Sequence, residues 1–445
     1  MFSMAIARFL ELKGFPMMSN AGTRRRIATT VTALGAFALV APPAHAAETA
    51  VPCDSAALIQ AIAEANATPA PDTLSLAAKC VYTLTAVADA YWKAGLPSIE
   101  GKLTVNGNHA TVERAKDAPR FRIINNRGDL TLNELTIAGG HAPDGAGTNS
   151  SGDANPGGSG GGIQNWGPLT ITDSVISGNT AGSGGPGADA TATTYAGSGG
   201  SGGFGGGISS YSSSRIALTI TRTAITGNAS GSGGPGGNGV AAKPGGRGGS
   251  AGYGGGVEAL GGTVLRITGG GITDNSAGTG GKGGTGGAGD GGSGGVAGGA
   301  FVSSSGGVLL NPAIVGATVT GNQSGRGGDA GVAGPGGYAG YSGYGGRGGG
   351  LGVFDDNLTL DEVKVSDNAA GEPGAGSYPQ PASGGGIHTL GARVMLVNGA
   401  VVSGNRPDNC VYPADVPGCV NGFRTAEAHG PDQRDIAERA AVVRR

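Results

Sequence analysis

The chain has 445 residues, of which 96 are glycine and 23 proline, a share of chain-breaking residues that argues against an ordinary globular core and points to low complexity. Its 29 Lys and Arg nearly balance its 31 Asp and Glu, and no basic stripe is interleaved with aromatics, which argues against a nucleic-acid partner. The apolar residues, however, are gathered in short β-branched runs between the glycine blocks, so a core can form if those runs stack.

In chain order, Arg24-Arg25-Arg26 precedes the apolar run Ile27 to Val40, and Ala44-His45-Ala46 supplies an A-x-A cleavage site before Ala47. Residues 1–46 therefore read as a removable export signal, with Met17 or Met18 as alternative starts. The stretch "TRRRIA" also has features of a twin-arginine signal, so both that route and ordinary secretion stay open. After cleavage no run approaches the roughly 20 apolar residues that span a bilayer. The mature chain is expected to be extracellular, monomeric and without a membrane span. Export favours oxidised cysteines. Of the pairings open to Cys53, Cys80, Cys410 and Cys419, Cys53 with Cys80 and Cys410 with Cys419 are local pairs at opposite ends. Only these can form if the segment between is a long stack.

Residues 47–102 read as a cap. Asp54 or Ser55 can start a helix running to about Asn66, whose Leu58, Ile59 and Ile62 form an apolar face able to close the end of a stack. Residues 103–409 hold the repeats: "LTLNELTIAGG", "LTITDSVISGN", "LTITRTAITGN", "LRITGGGITDN", "PAIVGATVTGN", "LTLDEVKVSDN" and "MLVNGAVVSGN". Two columns in these runs are always apolar. One holds Leu132, Ile171, Ile220, Ile267, Ile314, Leu360 and Val397; the other holds Ile137, Ile176, Ile225, Ile272, Val319, Val365 and Val402. Their five-residue offset would put them on opposite faces of a straight strand, so two short strands meeting at a corner are expected. A third strand is signalled by "GGGI", "GGGV", "GGAF" and "GGGL", ending at Ile163, Ile208, Val257, Phe301, Leu351 and Ile387. Three short strands per repeat, each paired with its equivalent in the next, describe the coils of a parallel β-helix. The column Asn179, Asn228, Asn275, Asn322, Asn368 and Asn405 then falls at one corner, either as an amide ladder aided by asparagine's tolerance of left-handed backbone or as a row of polar ligands.

The stretches "CDSAALIQAIAEANATPAPDTLSLAAKCVYTLT", "LPSIEGKLTVNGNHATVER" and the repeated "GGGI…LTIT…SGN" resemble secreted bacterial proteins of the right-handed parallel β-helix, pectate-lyase-like superfamily, particularly those with polymorphic-outer-membrane-protein-type repeats. The resemblance covers about residues 53–410. It implies an all-β, right-handed solenoid with an N-terminal capping helix, and leaves function open among lyases, hydrolases, adhesins and proteins without known activity. Residues 410–445 read as a C-terminal disulfide loop and a polar tail.

The spacings between the asparagines are 49, 47, 47, 46 and 37 residues, well beyond what three short strands need. The excess always falls between the Asn corner and the next triple glycine, so every coil carries an insert at the same corner. A Gly-Gly-X beat, as in "GGKGGTGG", suits extended polyproline-II-like segments packed through their backbones. It resembles the glycine-rich PGRS regions of mycobacterial surface proteins. The inserts are read as a stacked side layer, against the alternative of a solvated mobile fringe. Phe204 and Tyr253 are placed to stack where insert meets coil; Tyr338, Tyr341 and Tyr344 are candidate sugar-binding platforms. Neither Trp92 nor Trp166 sits in an aromatic cluster of the sequence.

Candidate chemistry is sparse. The first coils crowd Arg120, Arg122, Arg127, Asp129 and Glu134 together, making Arg120, Arg122 and Glu134 the candidate catalytic residues for a polysaccharide lyase or glycoside hydrolase. A salt-bridged solvated face explains the same charges. Asp355-Asp356 reads as a turn, and His109, His141 and His388 lack partners at metal-ligand spacing, so no metal and no cofactor is expected. The reading reached is an exported β-helix repeat protein with an adhesin-like, matrix- or glycan-binding role. A carbohydrate-active enzyme using the charged first coils is the alternative.

Overall fold

The computed structural model describes residues 48–240, 243–287, 289–304, 309–333 and 340–421. The expected export signal, Tyr338 and the polar tail beyond residue 421 lie outside the described residues. The chain winds into a right-handed parallel β-helix in which each strand pairs in parallel with its equivalent one coil along. Three faces result. Face A holds Ile124–Asn126, Ile163–Asn165, the starts of Ile208–Thr221 and Val257–Thr268, then Ala300–Ser304, Leu351–Phe354 and Ile387–Leu390. Face B carries the Leu-Thr-Ile-Thr runs, and face C the three-residue strands that end at the Asn corner, such as Val175–Ser177 and Gly271–Thr273.

Ile171, Ile220, Ile267, Ile314 and Leu360 stack inside face B, and Ile137, Ile176, Ile225, Ile272, Val319 and Val365 inside face C, all buried. Each such burial is worth about 1.5–3 kcal/mol against leaving the side chain in water. The corner between the faces is made by left-handed residues: Glu134, Asp173, Arg222, Gly269, Gly316, Glu362 and Asn398 all have positive φ. What a column of mixed charge shares is thus a backbone bend, with Arg222 and Asp173 forming an exposed ion pair at 2.6 Å.

Two register assignments need correction. Val397 does not occupy the first inward column: Leu360 pairs with Leu396, and Val397 faces outward, 37% exposed. The last coil turns its bend on two left-handed residues, Asn398 and Gly399, so the strand before the bend sits one residue earlier. Phe301 likewise is not the inward residue of its strand. Ala300 pairs with Val257, and Phe301 faces outward opposite Glu258.

The triple glycine has three separate causes. The first turns left-handed, at Gly160, Gly205, Gly254, Gly348 and Gly384, where a side chain is strained. A Cβ on the second (Gly161, Gly206, Gly255) would lie 2.2–2.3 Å from a carbonyl oxygen of the residue after the ladder asparagine. A Cβ on the third (Gly162, Gly207, Gly256) would press to 3.0–3.1 Å on the ladder amides themselves. Those amides form a closed chain. Asn228 Nδ2 donates to Asn275 Oδ1 at 2.9 Å and to the Ile176 carbonyl at 2.9 Å, while its backbone N–H donates to the same Oδ1 at 3.0 Å. Asn179, Asn275, Asn322 and Asn368 repeat the pattern, and Asn405 hands it to Asn409. The left-handed residue at this corner is not the asparagine but the one before it, Gly178, Gly227, Asp274, Gly321, Asp367 or Gly404.

The ends are closed. Asp54 caps the helix Ser55–Asn66 by accepting the Ala57 N–H at 2.9 Å, and Leu58, Ala61 and Ile62 are buried against the first coil. Cys53 is bonded to Cys80, and Cys410 to Cys419. Among the described residues no helix is long and apolar enough to cross a membrane.

The inserts run out from the Asn corner and back, and their backbones interlock. In "GGKGGTGGAGDGGSGG", Gly280 and Gly283 donate to Arg326 and Asp329 of the next insert, whereas Gly281 and Gly284 donate across to the returning segment at Gly249 and Gly246. On the way back Gly291 and Gly294 donate to Tyr341 and Tyr344, and Gly292 and Gly295 to Gly281 and Gly278. The repeat is three residues, as in polyproline II: one amide bonds within a layer, one between layers, and the third position, Thr279, Lys282 or Thr285, faces out. A Cβ on Gly281, Gly284 or Gly292 would sit 1.8–1.9 Å from a carbonyl oxygen.

Candidate functional site

The returning glycine segments lie over face A and bury its outward column, Asn125, Gln164, Ser209, Glu258, Phe301 and His388. The column is polar as far as Glu258 and then gives way to Phe301, which packs with Tyr253, Val296 and Phe354 under the layer. Where the polar part meets the layer, a groove of about 430 Å³ opens. Its floor is Gln164, Ser209 and Glu258; one wall is Ser201, Ser250, Phe204 and Tyr253 from the returning segments, and the other is Trp166, Tyr211 and Leu260, with Phe301 closing the end.

Glu258 is 1% exposed. Its Oε2 accepts from Ser209 Oγ at 2.7 Å, and its Oε1 has no hydrogen-bond partner. Burial pushes its carboxyl up to about 8, against the smaller opposing effect of the Ser209 hydrogen bond, so it is a neutral acid at pH 7. An aromatic row leads from the groove toward the cap. Tyr211 meets Trp166 at 5.8 Å between ring centroids, Trp166 meets Trp92 at 6.0 Å, and Trp92 meets Tyr91 at 5.0 Å. Trp166 is 37% exposed and Tyr91 82%, while the Arg127 guanidinium stands 5.3 Å from the Trp92 ring centroid. The two tryptophans, far apart in sequence, are thus brought into one cluster where the cap loop meets the coils.

The sequence candidates do not converge. Arg120 pairs with Asp144. Arg122, buried, donates to the carbonyls of Trp92 and Ser159 and so ties the cap loop to the first insert; burial lowers its pKa to about 10, with Asp89 opposing. Glu134 sits on the bend between faces B and C, with Oε2 3.9 Å from His109 Nε2. Arg127 faces Glu100 at 3.8 Å and Lys102 faces Asp129 at 3.4 Å. The charged first coils are a set of local pairs. Tyr341, 44% exposed, contacts the Tyr378 ring at 5.8 Å, and Tyr344 is half-buried in the layer. Asp356 is a buried turn residue, its Oδ1 accepting from the N–H groups of Leu310, Asn311 and Asn357. No group of three or more metal-ligating side chains forms among the described residues.

The chain matches no protein-family model, no curated protein and no solved structure with which it was compared. Phe204 and Tyr253 stack at 5.6 Å between ring centroids where insert meets coil, but the polar floor of the groove carries no local motif. Aligning the residues after each triple glycine would have put Gln164, Ser209 and Glu258 in one column and Trp166 with Tyr211 two residues on.

Proposed function

We propose that this is an exported carbohydrate-binding β-helix, akin to the polymorphic-outer-membrane-protein-type repeat proteins it resembles in sequence, which takes a glycan along the groove and its aromatic row. The observation that carries this reading is the continuous line of rings from Tyr91 to Tyr211 opening into a polar-floored groove. Aromatic faces over a floor of amide, hydroxyl and carboxyl groups match a sugar ring, which offers an apolar face and an edge of hydroxyls. The two disulfides fit an oxidising compartment.

One observation favours catalysis. Glu258 is a buried carboxylic acid held neutral at pH 7, as a glycosidase general acid must be. Such enzymes also need a second carboxylate roughly 5–9.5 Å away, and Glu258 is the one carboxylate among the described residues that line the groove. Binding is therefore preferred. Incubating the chain from Ala47 with soluble and insoluble polysaccharides, and assaying both retention and released oligosaccharide, tests the two readings. Retention without release is expected, and to be lost in Trp166→Ala. Release would overturn the binding role in favour of the enzyme, with Glu258 as its acid. Neither retention nor release would remove carbohydrate from the account.

A further inference from the structure

The groove has a chemistry of its own that narrows the glycan. Resting on the carbohydrate-binding reading, we propose that it is a subsite for an uncharged pyranose residue, stacked on Trp166 and Tyr211 with a hydroxyl hydrogen-bonded to Glu258 Oε1.

Three observations converge. The first is volume: about 430 Å³ lies in the roughly 300–1,000 Å³ range of small-molecule sites. The second is the orphan atom. A buried carboxyl oxygen without a partner is costly, and Glu258 Oε1 belongs to a side chain lining this groove whose other oxygen is already taken by Ser209. A hydroxyl in the groove would satisfy it, because a sugar OH both donates and accepts.

The third is charge. The described lining residues are Ser, Gln, Ala, Leu, aromatics and one carboxyl, with no Lys, Arg or His. The nearby guanidinium of Arg122 is spent on the carbonyls of Trp92 and Ser159, and that of Arg127 stands over Trp92 beside Glu100. A uronate carboxylate entering the groove would leave its hydration shell without gaining a cation, which is unfavourable. A neutral ring loses no such hydration. Ser201 and Ser250 line the groove from the layer, together with Phe204 and Tyr253 on the same side.

The test is calorimetric titration of the chain from Ala47 with neutral gluco-, manno- and galacto-oligosaccharides and with oligogalacturonate as the acidic probe. At least one neutral series should bind, and oligogalacturonate at least tenfold more weakly. Trp166→Ala should cost tenfold or more. Glu258→Leu should cost a similar factor, whereas Glu258→Gln, which keeps a polar edge of the same shape, should retain most of the affinity. Near-UV circular dichroism and melting of the variants would separate lost binding from lost fold. Tighter binding of oligogalacturonate, or unchanged affinity in a folded Glu258→Leu, would overturn the neutral subsite while leaving carbohydrate binding intact. Failure of both oligosaccharide classes would overturn both proposals.

Discussion

The β-helix and its glycine layer stack in the same direction, coil upon coil, by opposite means. In the helix the cohesion is in side chains: Ile171, Ile220 and Ile267 sit one above another, and the backbone serves to bring them together. In the layer the segments meet mostly backbone to backbone, with only small side chains such as those of Ser230 and Ala277 buried between them. Gly249 donates to Gly234 and accepts from Gly281. The difference teaches that a high glycine content rules out a fold only where cohesion must come from buried side chains. Where backbone meets backbone, the missing Cβ is the condition for the contact, and backbone hydrogen bonds offset glycine's larger loss of chain entropy.

The two regions should therefore break differently. The largest effect is expected from Ile220→Asp, which places a carboxylate inside the stack. Neighbouring coils should unfold, the cooperative melt should broaden or vanish, and an unaltered melting curve would contradict the column. Next comes Gly249→Val. Its Cβ would lie 1.9 Å from the Gly200 carbonyl oxygen, so the layer should open locally at a cost of roughly 3 kcal/mol, with the strand signal in circular dichroism retained. Lys282→Ala, at an outward position of the same layer, should change stability by less than about 0.5 kcal/mol. Proteolysis between residues 230 and 300, rapid in the valine variant and slow in the alanine variant, is the readout.

Asn275→Ala tests the seam where the two regions join. It takes the Asn275 acceptor from the Asn228 backbone N–H and the Asn275 donor from the Ile225 carbonyl, while the Asn228 amide keeps the Ile176 carbonyl, at roughly 1–3 kcal/mol for each group left buried and unpaired. The melting temperature should fall by several degrees with the layer and coils still melting together. A separate, earlier transition of the layer would show that the ladder is what couples them.

pH offers a separate test. Glu258 is held at about 8 in the folded chain, above the roughly 4.3 of an unfolded glutamate. The folded state then binds a proton that the unfolded state has released, and stability should decline as pH rises from about 4.5 to 8 and level off beyond. Glu258→Gln should flatten that slope in melting experiments. A slope identical to that of the parent chain would show that Glu258 ionises normally.

Much of the fold could be read in the sequence because its rules are periodic. Two aliphatic columns five residues apart demanded a corner, and the recurrent triple glycine marked a third strand. The misread rungs, Val397 and Phe301, share a cause: a one-residue shift leaves an apolar residue on each side of the assumed register, and pattern alone does not say which faces in. The triplet beat indicated a packed layer but not which carbonyl each amide meets. The groove escaped because its parts are far apart in sequence, Gln164 and Trp166 in one coil and Glu258 two coils on. Arg120, Arg122 and Glu134 are close together in the chain, yet Arg120 and Arg122 are spent on the first insert and the cap loop while Glu134 sits on the bend between faces B and C.

The measurement that tests the central claim most directly is amide hydrogen exchange of the segment 278–300 against the face A strand Leu351–Phe354. Since Gly280, Gly281, Gly283, Gly284, Gly291 and Gly292 all donate to carbonyls of neighbouring segments, their amides should be protected to within about tenfold of the strand amides. Exchange at the rate of an unstructured glycine peptide, with the strand still protected, would contradict the account and leave the inserts as a fringe on a bare β-helix.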